Sequence, residues 1–256
     1  MDIGFIGTVL VIGFIGSFLS GMLGIGGAIV NYPILLYIPP LMGFDGFTAH
    51  EVSGIVAIQV FVATLGGVWS YRKGGYINKP LFLVMGSSIL VGSLIGGYFS
   101  QSIPENSISI IYGLLALSAG IIMFVPKKES NQELFDFNKW LAAILAFFVG
   151  LTSGVVGAGG SFILIPMMLV VLKVPMRITI ATSLAITFVS SAGGVIGKVT
   201  TGQVSLLPAL LMIAVSVVAS PLGVKISKNI NSKVLQWALT FLILVTTVKI
   251  WADILL

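Results

Sequence analysis

The chain has 256 residues, 57% of them hydrophobic and 8% charged. A soluble domain carries about a quarter charged residues, so this chain has too little polar surface to face water and reads as an integral membrane protein. Its net charge of +5 is a topology signal from basic residues in short loops rather than a nucleic-acid footprint, and the lack of cysteine excludes disulfides, thiolate metal sites and cysteine nucleophiles.

Only Asp2 precedes the first apolar run, so that run is expected to be a membrane helix and not a cleaved signal. A first helix from Ile3 to about Leu23 is interrupted by Gly24-Ile25-Gly26-Gly27. A short helix from about Ala28 should stop at Pro39-Pro40. Spans then follow at Glu51–Tyr71, Pro80–Ser100 and Ser107–Val125. The polar stretch 126–138 is the natural cytoplasmic linker, which divides the chain into repeats at 1–125 and 139–256. Lys139 to Val156 is apolar again and is interrupted by Gly157-Ala158-Gly159-Gly160. A short helix from Ser161 to about Leu172 and spans at Ile178–Gly197, Val204–Ser227 and Lys233–Leu255 complete the chain.

The second half repeats the first. At an offset of 133, Ser20, Gly24 and Pro33 match Ser153, Gly157 and Pro166. After the short helices the offset becomes 127, which pairs Gly66-Gly67 with Gly193-Gly194 and Gly96 with Gly223. The expected fold is an all-α polytopic membrane protein, a duplicated helical bundle with two broken helices. If the short helices cross, each half has an odd number of spans, giving an inverted five-plus-five layout. If they re-enter, the halves are parallel, four plus four. Placing Arg72, Lys73, Lys79, Lys127, Lys128 and Lys139 inside favours crossing, because Lys173, Arg177, Lys228 and Lys233 then also fall inside and mainly Lys198 and Lys249 remain outside. Both termini would then lie outside.

Irregular backbone at membrane depth is tolerated where it is buried in protein or lines a watery cavity. A helix starting at Gly27 or Gly160 presents free N–H groups and the positive end of its dipole, and glycine lets a ligand approach closely. Such a start suits an anion. The candidate substrate-binding residues are therefore Ser20, Gly24, Gly26, Gly27 and Asn31 at the first break, with Ser153, Gly157, Gly159, Gly160 and Ser161 at the second. Gln59, Ser183 and Thr187 add polar groups from the following spans, Ser183 and Thr187 sharing one helix face. Close helix packing is the competing role for the glycines, and it is the preferred one for Gly92/Gly96 and Gly193/Gly197. A bond to the preceding turn competes for the hydroxyls. His50 and Glu51 form the one His–carboxylate pair at a span end, suited either to proton coupling or to capping. Neither break is a nucleotide loop, because no Lys-Ser/Thr follows and Ile29 and Phe162 replace the last glycine of a Rossmann pattern.

At Ser20-Gly21-x-x-Gly24-x-Gly26-Gly27 with Pro33, and its copy from Ser153 to Pro166, the chain resembles the sulfite exporter TauE/SafE family, also called toluene-sulfonate uptake permeases. The resemblance runs over essentially the whole chain. It implies secondary transport of small sulfur-containing anions (sulfite, sulfoacetate or other organosulfonates), most often export, through a multi-pass protein of the cytoplasmic membrane. No cofactor, metal or nucleic acid is expected, and the partners are the bilayer, a small anionic substrate and, given the glycine-rich faces, a second copy of the chain. The alternative is a permease or channel for another small anion or a neutral solute. An intramembrane enzyme would need a positioned base or nucleophile, and neither His-Glu-x-x-His nor Gly-x-Ser-x-Gly occurs.

Overall fold

The computed structural model describes residues 3–71, 75–124 and 137–255. Arg72, Lys73 and the linker as far as residue 136 lie outside the described residues. Ten helices follow in order among those described: α1 (Ile3–Leu23), α2 (Ala28–Leu41), α3 (Ala49–Tyr71), α4 (Lys79–Phe99), α5 (Glu105–Phe124), α6 (Lys139–Val156), α7 (Ser161–Pro166), α8 (Met176–Thr200), α9 (Leu206–Asn229) and α10 (Ser232–Leu255). A π-helical stretch, Met167–Val171, extends α7. All except α2 and α7 are long and apolar enough to cross a membrane, and the protein is a multi-pass membrane protein.

Local chemistry sets the helix ends. The Asn78 side chain accepts a bond from the Leu81 amide at 2.9 Å to start α4, and Asn138 caps α6 in the same way. At α3 the Thr48 amide donates to Glu51 Oε2 at 3.0 Å while Thr48 Oγ1 accepts from the Glu51 amide at 3.2 Å, a reciprocal capping box. One boundary differs from expectation, because α2 runs through Pro39-Pro40 to Leu41. Pro39 and Pro40 keep helical φ and take the donors from the Leu35 and Leu36 carbonyls, close to the end of the helix. Pro33 is the more demanding case, since it leaves the Ile29 carbonyl without its donor. The Tyr112 hydroxyl of α5 fills that gap, donating to Ile29 O at 2.8 Å.

Helices meet through glycine. A Cβ on Gly21 of α1 would overlap the Ser220 carbonyl of α9, and one on Gly223 would overlap that of Phe18. The contact recurs between α6 and α4, where a Cβ on Gly154 would lie 2.5 Å from Ser93 O and one on Gly96 would overlap Leu151 O. The residues in these contacts correspond through the two sequence registers, so the first helix of each half packs against the third span-length helix of the other. Such closeness supplies van der Waals contact where lipid gives no hydrophobic drive. Gly92 and Gly197 likewise press on neighbouring backbone, the packing role expected for them.

Equivalent helices run in opposite directions. Along α3 and α8, Lys198 bonds Ser53, Phe61 stacks on Phe188, and Gly67 meets Leu184. Along α5 and α10, Trp251 Nε1 donates to the Gly113 carbonyl while Gly120 faces Ile243. One end of the bundle gathers basic groups: Lys228 Nζ donates to Ser70 O at 2.8 Å and Arg177 to Ile230 O at 3.1 Å. The other end carries Glu51 and Glu105, both bonded near the start of α3.

Candidate functional site

Three glycines of each break adopt left-handed backbone: Gly24, Gly26 and Gly27 with φ of 79°, 69° and 78°, and Gly157, Gly159 and Gly160 with 76°, 62° and 75°. An L side chain costs about 1–2 kcal/mol in that region, which is why the pattern is glycine at all six positions. The breaks meet. A Cβ on Gly26 would lie 3.1 Å from Val60 and 3.3 Å from Thr187, and one on Gly159 would lie 3.0 Å and 2.8 Å from the same two side chains. Val60 is the central residue of α3 and Thr187 is next to the centre of α8, and the register makes them counterparts. Ser161 Oγ ties the breaks together by donating to the Ile25 carbonyl.

Side chains distinguish the two halves. Around the first break, Asn31 packs its amide against Gly16, and Gln59 Nε2 stands 3.0 Å from where a Gly27 Cβ would be. Gln59 Nε2 donates to Ser17 Oγ at 2.7 Å, and Ser17 pairs with Ser216 at 2.7 Å. Ser20 Oγ, both polar atoms of the Asn31 amide, Gln59 Oε1, Thr187 Oγ1 and Ser190 Oγ are buried without a hydrogen-bond partner among the described residues. Each such group costs roughly 1–3 kcal/mol, so a cluster of them at one point calls for a ligand or a role. The counterparts of Gly16, Ser17, Asn31 and Gln59 are Val149, Gly150, Leu164 and Ile186. A Cβ on Gly160 would meet Val149 at 2.6 Å. At these four positions the second break thus carries only hydrocarbon side chains or glycine, and its own hydroxyls, Ser153 and Ser161, are bonded to backbone carbonyls. Neither short helix has a side chain capping its start. At α2 the dipole's positive end therefore lies beside the Asn31 and Gln59 amides.

The remaining expected residues are placed as follows. Ser153 Oγ donates back to Gly150 O at 3.2 Å, and Ser183 Oγ reaches both Ile180 O at 3.0 Å and Gly24 O at 3.2 Å. A Cβ on Gly157 would overlap the Ser53 carbonyl. His50 and Glu51 lie away from the breaks: Glu51 is engaged in the α3 cap and bonds Ser205 at 2.7 Å, while His50 Nδ1 lies 3.2 Å from Gln203 Oε1. Among the described residues no cluster of His, Cys, Asp or Glu has metal-binding geometry.

Sequence reasoning passed over Ser17, Tyr112 and Lys198. Ser17 stands one turn before Ser20, and Tyr112 could have been sought as the donor that Pro33 requires. Lys198 had announced itself as a basic residue stranded on the wrong side.

A family model described as Sulfite exporter TauE/SafE matches residues 9–250. "Probable membrane transporter protein YunE" of Bacillus subtilis is 25% identical, covering 88% of this chain and 89% of the relative. "Probable membrane transporter protein MJ0441" of Methanocaldococcus jannaschii is 27% identical over 89% of this chain and 88% of its own length. "Probable membrane transporter protein YdhB" of Bacillus subtilis is 26% identical over 90% and 94%. No solved structure matches. With eight membrane-length helices and two central breaks, the family match leads to one identification: the chain is a membrane transporter belonging to the sulfite exporter TauE/SafE family.

Proposed function

We propose that this transporter moves small sulfur-containing anions, such as sulfite, sulfoacetate or another organosulfonate, outward across the cytoplasmic membrane without altering them chemically. The supporting observation is the meeting of the two breaks between Val60 and Thr187, beside the unpartnered groups of Ser20, Asn31 and Gln59. Amide and hydroxyl donors at a helix start can bind an anion without a buried cation, so the site can empty as readily as it fills. Gln59, Asn31 and the α2 amides hold the anion in this reading, and the glycines of both breaks admit it.

The proposed layout is inverted, five plus five, with α2 and α7 crossing and the linker 126–138 between repeats 1–125 and 139–256. The opposite directions of α3 and α8, and of α5 and α10, support it, because parallel repeats would align them. The basic end is then cytoplasmic and both termini are outside. A C-terminal reporter should read as extracytoplasmic, and a cytoplasmic reading would contradict the layout. For transport, proteoliposomes loaded with sulfite or sulfoacetate should release the anion through the protein and retain choline. Release of neither anion would overturn the proposed function.

A further inference from the structure

Lys198 lies within α8 with none of its surface exposed. Its Nζ is bonded to Ser53 Oγ at 2.7 Å, Ser100 Oγ at 3.1 Å and Gln203 Oε1 at 3.1 Å. Ser53 commits its own hydrogen to His50 O at 2.8 Å, and Ser100 has Gly97 O at 2.8 Å. All three partners therefore accept from Nζ. Three acceptors need three N–H bonds, which the ammonium has and the neutral amine lacks. No carboxylate forms an ion pair with it among the described residues; Glu51 is held by Thr48 and Ser205. A charge buried among neutral oxygens alone is expensive and points to a role.

The surroundings supply that role. Thr187, Ser191, Gly194 and Lys198 recur at spacings of four, three and four, so one face of α8 leads from the central breaks to Lys198. Gly194 is buried, yet a Cβ there would touch nothing within 4 Å. Its counterpart Gly67 is blocked, because Leu184 stands 3.0 Å from its Cβ position. The register replaces Leu184 by Ala57 on the Gly194 side and puts Tyr71 where Lys198 stands on the other. Beside α8 there is therefore free space at Gly194, on the side of Lys198, at the position that Leu184 fills beside Gly67 on the side of the basic end.

We infer that Lys198, with Ser53 and Ser100, forms a second anion-binding station on the outward route, receiving the anion as it leaves the central site. The inference rests on the proposed anion transport. An arriving sulfite or sulfonate oxygen exchanges one neutral acceptor for a charged one at Nζ, while the serine hydroxyls turn to donate to it. No bond within the anion is made or broken. A cation is turned away at the same point.

The test is exchange of radiolabelled sulfite and sulfoacetate by the full-length protein in proteoliposomes, compared with K198Q, K198M and K198R. The anion-dependent rise in Tm is recorded for each purified protein. K198Q and K198M should exchange at least about ten-fold more slowly at limiting anion, the loss of one charge-assisted contact, while keeping the Tm rise given by the central site. K198R should exchange faster than either. Unslowed exchange by K198Q or K198M overturns the station and leaves the central site standing. Neither exchange nor a Tm rise in the unsubstituted protein overturns both. Should the Lys198 variants not fold, G194V decides: blocked exchange with the Tm rise kept supports the route, and unimpaired exchange overturns it.

Discussion

The two breaks share a backbone and differ in what surrounds it. Both turn on three left-handed glycines and both reach Val60 and Thr187. Where the first has Gly16, Ser17, Asn31 and Gln59, the register gives the second Val149, Gly150, Leu164 and Ile186. The second is also wedged more tightly, with no room for a Cβ between Gly157 and the Ser53 carbonyl, whereas Gly24 has 3.0 Å to the Ile180 carbonyl. Duplication supplied two identical openings. In one, Asn31 and Gln59 keep unpartnered polar atoms at a cost in stability, and in the other Leu164 and Ile186 stand at those positions. On the proposed function, recognition falls to the first half.

That difference can be broken most sharply at the glycines. G157A and G24A each incur about 1–2 kcal/mol for left-handed backbone, but only G157A also drives a Cβ into a carbonyl. Assembled protein should be recovered for G24A, with a lowered Tm, and lost for G157A, as size-exclusion profiles would report. Next in size is the exchange of linings. N31L/Q59I gives the first break the residues of the second and removes hydrogen bonds worth about 1.5–3 kcal/mol each to a charged ligand, so proteoliposome flux should fall about a hundred-fold or more. Its Tm should hold or rise, because unpartnered buried polar atoms disappear.

The reverse exchange, L164N, should lower stability by about 1–3 kcal/mol through an unsatisfied buried amide, with flux per folded molecule little changed. The smallest effect is expected of Y112F. It removes the donor for the carbonyl freed by Pro33, costing about 1 kcal/mol, and should appear as faster amide exchange around Val30 and Asn31.

Much of this was legible in the sequence because glycine reports backbone directly. Both helix interruptions could be placed to the residue from their clustered glycines, and the structure adds that six of these glycines are left-handed. Composition alone fixed the helical membrane class. The contact between the breaks was an inference from duplication, and the structure places Gly26 and Gly159 against the same two residues. Less legible were effects created by packing. Ser17 is one serine among several until α9 brings Ser216 to it, and Lys198 reads as a loop residue until α8 extends to Thr200. The continuation of α2 through Pro39-Pro40 was not legible because a proline pair ordinarily stops a helix, whereas here the two lost bonds fall in its last turn.

The central claim is that the polar first break, and not its apolar counterpart, binds the anion. The most direct measurement is the Tm of the unsubstituted protein, N31L/Q59I and L164N in rising sulfite or sulfoacetate, with chloride as the control. The unsubstituted protein and L164N should be stabilised as RT ln(1 + [L]/Kd) requires, and N31L/Q59I should not respond. An equal rise in N31L/Q59I, or a response lost only in L164N, would contradict the account.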